Sequence, residues 1–145
     1  MSPSISSGTV ELGDIVAERT VHLTRDSLVR YAGASGDFNP IHWSDAVAER
    51  VGLPGVLAHG MLTMGLAIAT LDAWLRDAGR VLEYGVRFTR PVLVDQETGA
   101  DVHVVAKVGA VSEDDARIDL TVSSGEQTVL GKAQVRVALH PVAHA

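Results

Sequence analysis

Residues 60–88 read GMLTMGLAIATLDAWLRDAGRVLEYGVRF, and this stretch decides the fold. From Gly60 to Leu75 the apolar residues Met61, Leu62, Met64, Leu66, Ile68, Leu71 and Trp74 fall on all sides of a helix. A helix apolar all round is a buried one, so the pattern predicts one buried helix over 60–75. Its small residues, Gly65, Ala67, Ala69 and Ala73, let other backbone come close. After Gly79 the period switches from helix to strand: Leu82, Tyr84, Val86 and Phe88 alternate with Val81, Glu83, Gly85 and Arg87.

The same alternation recurs downstream. Val102, Val104, Ala106 and Val108 share one face, as do Ile118, Leu120 and Val122, and then Ala133, Val135, Val137 and Leu139. Glu113-Asp114-Asp115 and Ser124-Gly125-Glu126 supply the turns between them. Alternation of this kind means antiparallel strands with one covered face. A buried helix followed by consecutive antiparallel strands is an α+β arrangement, and the economical packing wraps the sheet around the helix.

Upstream, Thr24 reads as the N-cap of a helix carrying Leu28, Val29, Tyr31 and Ala32, stopped by Gly33 and Gly36. Ser35 to Trp43 is an irregular loop, because Pro40 pushes Asn39 out of helical geometry. Ser44 caps a short helix through Arg50, with Gly52 just past its end. Residues 1–8 read as a frayed leader and 141–145 as a frayed tail, leaving one domain over 9–140.

Composition bounds the function. The chain has 145 residues, a net charge of −6 and no basic run, which argues against nucleic acid or an anionic membrane as partner. It has no cysteine, so thiolate catalysis, disulfides and cysteine-based zinc sites are excluded. The longest apolar run, Gly60 to Ala69, is too short to span a bilayer, and the expectation is a soluble cytoplasmic protein. No glycine-rich nucleotide loop, no Gly-x-Ser-x-Gly elbow around Ser35 and no histidine pair at zinc spacing is present. No metal and no cofactor are expected.

Two groups of residues have chemical potential. Asp37 and His42 lie five apart on a proline-containing loop, where a carboxylate and an imidazole can converge for acid–base catalysis. The bland alternative is a turn-capping aspartate beside a satisfied loop histidine. His59-Gly60 opens the apolar helix, whose first N–H groups lack intrahelical acceptors. Glycine there lets a ligand carbonyl approach, and the helix dipole favours a developing oxyanion. Gly60 as a mere close-packing site is the alternative. Asn39 is a turn residue able to brace the loop.

Taken together, Tyr31-Ala32, Ser35-Gly36-Asp37, Asn39-Pro40-Ile41-His42, Gly52 and Ala58-His59-Gly60-Met61 resemble the MaoC-like, (R)-specific enoyl hydratase/dehydratase family. The resemblance implies a hot-dog fold over residues 9–140, a long central helix wrapped by an antiparallel sheet, usually paired into a dimer. With His42-Trp43 after the proline, the chain is similar to the HadB-type catalytic subunit of (3R)-hydroxyacyl-carrier-protein dehydratase. Such a subunit serves type II fatty acid and mycolic acid synthesis and pairs with a hot-dog chain lacking the dyad.

The resemblance makes Asp37 and His42 the catalytic dyad, His42 toward the α-carbon and Asp37 toward the 3-hydroxyl. Gly60 N–H receives the thioester carbonyl, with His59 and Asn39 beside it as substrate-binding or bracing residues. The implied substrate is an acyl thioester of acyl carrier protein or coenzyme A, and the implied assembly a homodimer or a heterodimer. A coenzyme A hydratase of β-oxidation or polyhydroxyalkanoate supply uses the same dyad and stays open. A non-catalytic acyl-binding subunit is disfavoured because both Asp37 and His42 are retained. The family's usual Gly-Asp after Val86-Arg87-Phe88-Thr89-Arg90-Pro91-Val92 is replaced by Val94-Asp95-Gln96-Glu97.

Overall fold

The computed structural model describes residues 10–140. Five antiparallel strands form one sheet: β1 (Ile15–Leu23), β2 (Gly79–Phe88), β3 (Ala100–Val111), β4 (Asp115–Ser124) and β5 (Gln127–Leu139). Their order across the sheet is β1-β3-β4-β5-β2, so β1 and β2 are the edges. The helices are α1 (Arg25–Ser35), α2 (Asp45–Arg50), α3 (Gly60–Ala69) and α4 (Asp72–Ala78), with a single 3₁₀ turn at Pro40–His42.

The alternating residues of β3, β4 and β5 build the core. Val102, Val104, Ala106, Val108, Ile118, Val122, Val135 and Val137 are buried, with Ala67 and Leu71 of the helical segment set against them. Each buried valine, leucine or isoleucine among them contributes roughly 1.5–3 kcal/mol of transfer free energy. Sheet and helices together make a hot-dog fold, the arrangement that the family resemblance implies.

The caps fall where the sequence places them. Thr24 and Ser27 form a reciprocal capping box on α1, which ends at Gly36 in the left-handed conformation, φ 78°. The Ser44 side chain accepts from Val47 N–H at the start of α2.

Three expectations are corrected. The helix over 60–75 is two helices, because the Thr70 hydroxyl donates back to the Leu66 carbonyl and Leu71 turns into the core. Nor is it buried all round: Thr63 and Ala67 are buried, whereas Met61 is 60% exposed. Strand β2 lacks a fully covered face, since it is an edge strand with Leu82 and Phe88 exposed and Tyr84 and Val86 half-buried. Strand β1 carries no clear alternation in the sequence. Only Val16 and Leu23 are buried along it, and a register shift at Ile15/Ala17 breaks the period.

Two irregularities position the site. In β5 an extra residue at Lys132, φ 44°, bulges the strand against both neighbours, and a second shift against β4 falls at Val129, where Val129 and Leu130 are both buried. The strap before α3 is pinned by Ala58 N–H to Val92 O at 2.9 Å and Val94 N–H to Val56 O at 3.0 Å. The altered Val94-Asp95-Gln96-Glu97 segment is a tight turn in which Asp95 Oδ1 accepts from Glu97 and Thr98 N–H. The leader over 1–8 and the tail over 141–145 lie outside the described residues. No described helix is long and apolar enough to cross a membrane.

Candidate active site

The loop after α1 is held by its own short side chains. Ser35 Oγ accepts from Asp37 N–H at 3.1 Å, Asp37 Oδ1 from Asn39 N–H at 3.1 Å, and Asn39 Oδ1 from Ile41 N–H at 3.2 Å. Pro40 then opens the 3₁₀ turn that carries His42. Trp43 Nε1–H donates to the Phe38 carbonyl at 3.0 Å and closes the loop from outside.

His42 is oriented by the backbone. Its Nδ1 lies 2.7 Å from the Leu57 carbonyl oxygen, an acceptor only, so Nδ1 carries the proton. In the neutral ring Nε2 then keeps its lone pair, 3.9 Å from Asp37 Oδ2. That separation is too long for a hydrogen bond, and a reacting hydroxyl or water can bridge the two groups from the side. His42 is buried whereas Asp37 is exposed, so the pair joins the interior to solvent.

Gly60 is the first residue of α3. Among the described residues its N–H and that of Met61 have no acceptor, while Leu62 and Thr63 N–H both reach the His59 carbonyl. His42, Gly60 and Thr63 line a common cavity of about 320 Å³, with Leu57, Val92 and Leu130 among its apolar walls. Arg90, an exposed residue whose Nη1 donates to Thr128 O, also borders it. Phe88 closes over Gly60 so tightly that an added Cβ would sit 2.9 Å from the ring.

His59 is placed behind the cavity. It is 1% exposed, its Nε2–H donates to the Asp37 carbonyl at 3.1 Å, and its ring stacks on His42 with centroids 3.8 Å apart. Burial pushes it below the ordinary histidine range. Asp37, His42 and His59 each bring a ligand-type atom within 4.8 Å of the others. The two imidazoles stack 21° from parallel, and each has one ring nitrogen committed to a backbone carbonyl. That is a poor match to the convergent donors a zinc site requires.

Some of the site was invisible in the sequence. The Leu57 carbonyl orients His42, and a backbone group leaves no side-chain signature. Thr63 was legible in principle, as the one polar residue inside the apolar run of α3.

The MaoC like domain matches residues 10–127, most of the described chain. The chain belongs to the MaoC-like family. This MaoC-like chain is 40% identical over 79 residues to 3-hydroxyacyl-thioester dehydratase X of Mycobacterium tuberculosis, covering 54% of the chain and 27% of that protein. It is 32% identical over 112 residues to the (R)-specific enoyl-CoA hydratase of Aeromonas caviae, covering 74% and 81%. A solved MaoC-like dehydratase superposes with a TM-score of 0.87 at 36% identity, over 93% of this chain and 42% of that one. The chain thus spans about a quarter of the mycobacterial relative and less than half of the solved dehydratase.

Proposed function

We propose that this MaoC-like chain is a hydro-lyase that interconverts (3R)-hydroxyacyl and trans-2-enoyl thioesters through Asp37 and His42. The observation that carries this is the tautomer of His42. With Nδ1–H held by the Leu57 carbonyl, its Nε2 lies 3.9 Å from Asp37 Oδ2, and His42 lines the same cavity as Gly60, the residue that opens α3.

In dehydration, His42 Nε2 takes the α-proton and the C–H electron pair becomes the new Cα=Cβ bond. Charge that builds on the thioester oxygen is stabilised by Gly60 N–H at the positive end of α3. The C3–O bond breaks with a proton from the Asp37 carboxyl, and water leaves. Proton return from His42 to Asp37, direct or through one water, resets the pair. Hydration runs the same steps backward, so Asp37 as carboxylate activates water and imidazolium protonates Cα. Asn39 braces the loop that spaces the two. Both groups work from one side of the substrate, which makes the elimination syn.

The substrate class is a 3-hydroxyacyl thioester of fatty acid metabolism, carried by acyl carrier protein or coenzyme A. The pathway we assign is type II fatty acid synthesis, including its mycolic acid branch, on the strength of the resemblance of the Asp37–Trp43 loop to the HadB-type subunit. A second hot-dog subunit, a copy or a dyad-less relative, covers the β2 edge and α3. The open edge and the exposed Met61, Val81, Leu82 and Phe88 support that arrangement.

The test is hydration of crotonyl-coenzyme A, with chiral analysis of the product. The (R)-3-hydroxy product is expected, with Asp37→Asn and His42→Ala each lowering kcat by about 10²–10⁴-fold. Unchanged rates in both variants overturn the dyad.

A further inference from the structure

We propose that His59 is a positioning residue: its Nε2–H fixes the Asp37 backbone and its ring face fixes His42, so one buried side chain sets the spacing of the pair. The inference rests on the acid–base reading of Asp37 and His42 and adds a residue that never touches substrate.

His59 meets every part of the site. Nε2–H donates to the Asp37 carbonyl at 3.1 Å, the ring lies 3.8 Å from His42, and Tyr31 of α1 abuts it edge-on at 4.7 Å. Its own carbonyl accepts from Leu62 and Thr63 N–H, and the next amide in the chain is that of Gly60. A shift of this one residue moves the carboxylate, the base and the oxyanion donor together.

The hydrogen bonds fix its protonation state. Nε2 donates, and Nδ1 is buried with no partner among the described residues. A proton on Nδ1 would have no acceptor and would put positive charge against the face of His42. The groups facing it are His42 from the 3₁₀ turn, Tyr31 from α1 and Asp37 from the loop. Asp37 favours a charge, whereas burial and His42 oppose it, burial being the largest influence. The ring therefore stays neutral while His42 gains and loses its proton during turnover.

Two substitutions separate the two contacts. His59→Phe keeps the ring face and removes the donor, while His59→Gln keeps an N–H donor and removes the ring. Dehydration of (3R)-hydroxybutyryl-coenzyme A is followed across pH, with rates scaled to folded protein. His59→Phe is expected to lower kcat by about tenfold with KM within about twofold and the acid limb of kcat/KM in place. His59→Gln is expected to move that limb to higher pH, because water reaches the face of the general base.

Wild-type kcat, KM and pH profile in both variants overturn the proposal, as does a rate loss in both that leaves the pH profile and the kcat-to-KM split untouched. If neither variant folds, ¹⁵N imidazole shifts of the wild-type protein decide. A neutral Nε2–H tautomer that persists below the titration of the exposed histidines supports the proposal; an Nδ1–H tautomer, or charge gained with the exposed histidines, overturns it. Failure here leaves Asp37→Asn and His42→Ala inactive. Failure of the dyad itself leaves those two variants active.

Discussion

Gly60→Ala separates the packing of the α3 N-terminus from its chemistry. Gly60 has an ordinary negative φ, so alanine fits the backbone without strain. The new Cβ meets Phe88 Cε1 at 2.9 Å, Cδ1 at 3.1 Å and Cζ at 3.4 Å, so the ring must retreat by roughly half an ångström to reach ordinary contact. Phe88 is 57% exposed in the single chain, so with no partner over it the ring can move outward and the cost is about 1 kcal/mol, the low end of overpacking. Alanine's better helix propensity offsets up to about 1 kcal/mol of that. Net stability therefore changes by less than about 1 kcal/mol, a Tm shift within about 4 °C.

Activity responds on a different scale. The methyl occupies the approach to the Gly60 N–H, and loss of one oxyanion donor costs about 10²–10³ in kcat, roughly 3 kcal/mol or more. Thermal melts alongside steady-state hydration of crotonyl-coenzyme A read both quantities. Gly60→Ala combined with Phe88→Ala relieves the ring contact and leaves the methyl in place, so the rate should stay low. Full kcat in Gly60→Ala refutes the oxyanion role, and recovery in the double variant refutes the steric explanation.

Three further outcomes are expected. Asn39→Ala removes the cap on Ile41 N–H, costs about 1 kcal/mol, and lowers kcat by about tenfold with KM held, read by melts and steady-state rates. Gly79→Ala drives a Cβ into the Ala138 carbonyl of the paired strand and destabilises by about 3 kcal/mol, whereas Gly65→Ala meets open space and does not destabilise; urea midpoints compare them. The Tyr84 hydroxyl donates to the Met64 carbonyl at 2.7 Å, and burial pushes its pKa up to about 12. Between its ordinary value near 10 and about 12 the unfolded chain ionises first, so stability present below pH 10 is lost as pH rises. Tyr84→Phe costs about 1 kcal/mol at pH 8 and flattens that alkaline decline in urea melts at pH 8 and pH 11.

The legible parts of this chain are those with local signatures. Thr24, Ser44 and Gly36 announce helix ends because capping is settled within a few residues. Val102 to Val108 and Ile118 to Val122 announce strands because one face is wholly covered. Strand β1 is silent because it is an edge strand with a bulge, mostly exposed, in which apolar and polar residues do not alternate. The break at Thr70–Leu71 is silent because a threonine bonding back to the carbonyl four residues earlier does not by itself end a helix; Leu71 is drawn into a core built by distant strands. In the site, the residue types at Asp37, His42 and Gly60 are written in the motif, but their spacing is not. The Leu57 carbonyl and the His59 stack that set it come from elements 15 and 17 residues away from His42.

The central claim is that Asp37 and His42 act on one face of a thioester. Hydration of crotonyl-coenzyme A in deuterium oxide tests it most directly, with NMR assigning the face that receives deuterium at C2. Deuterium on the same face as the new 3-hydroxyl, in an (R) product whose formation needs both Asp37 and His42, is the expected result. Anti addition, an (S) product, or undiminished turnover by Asp37→Asn and His42→Ala contradicts the account.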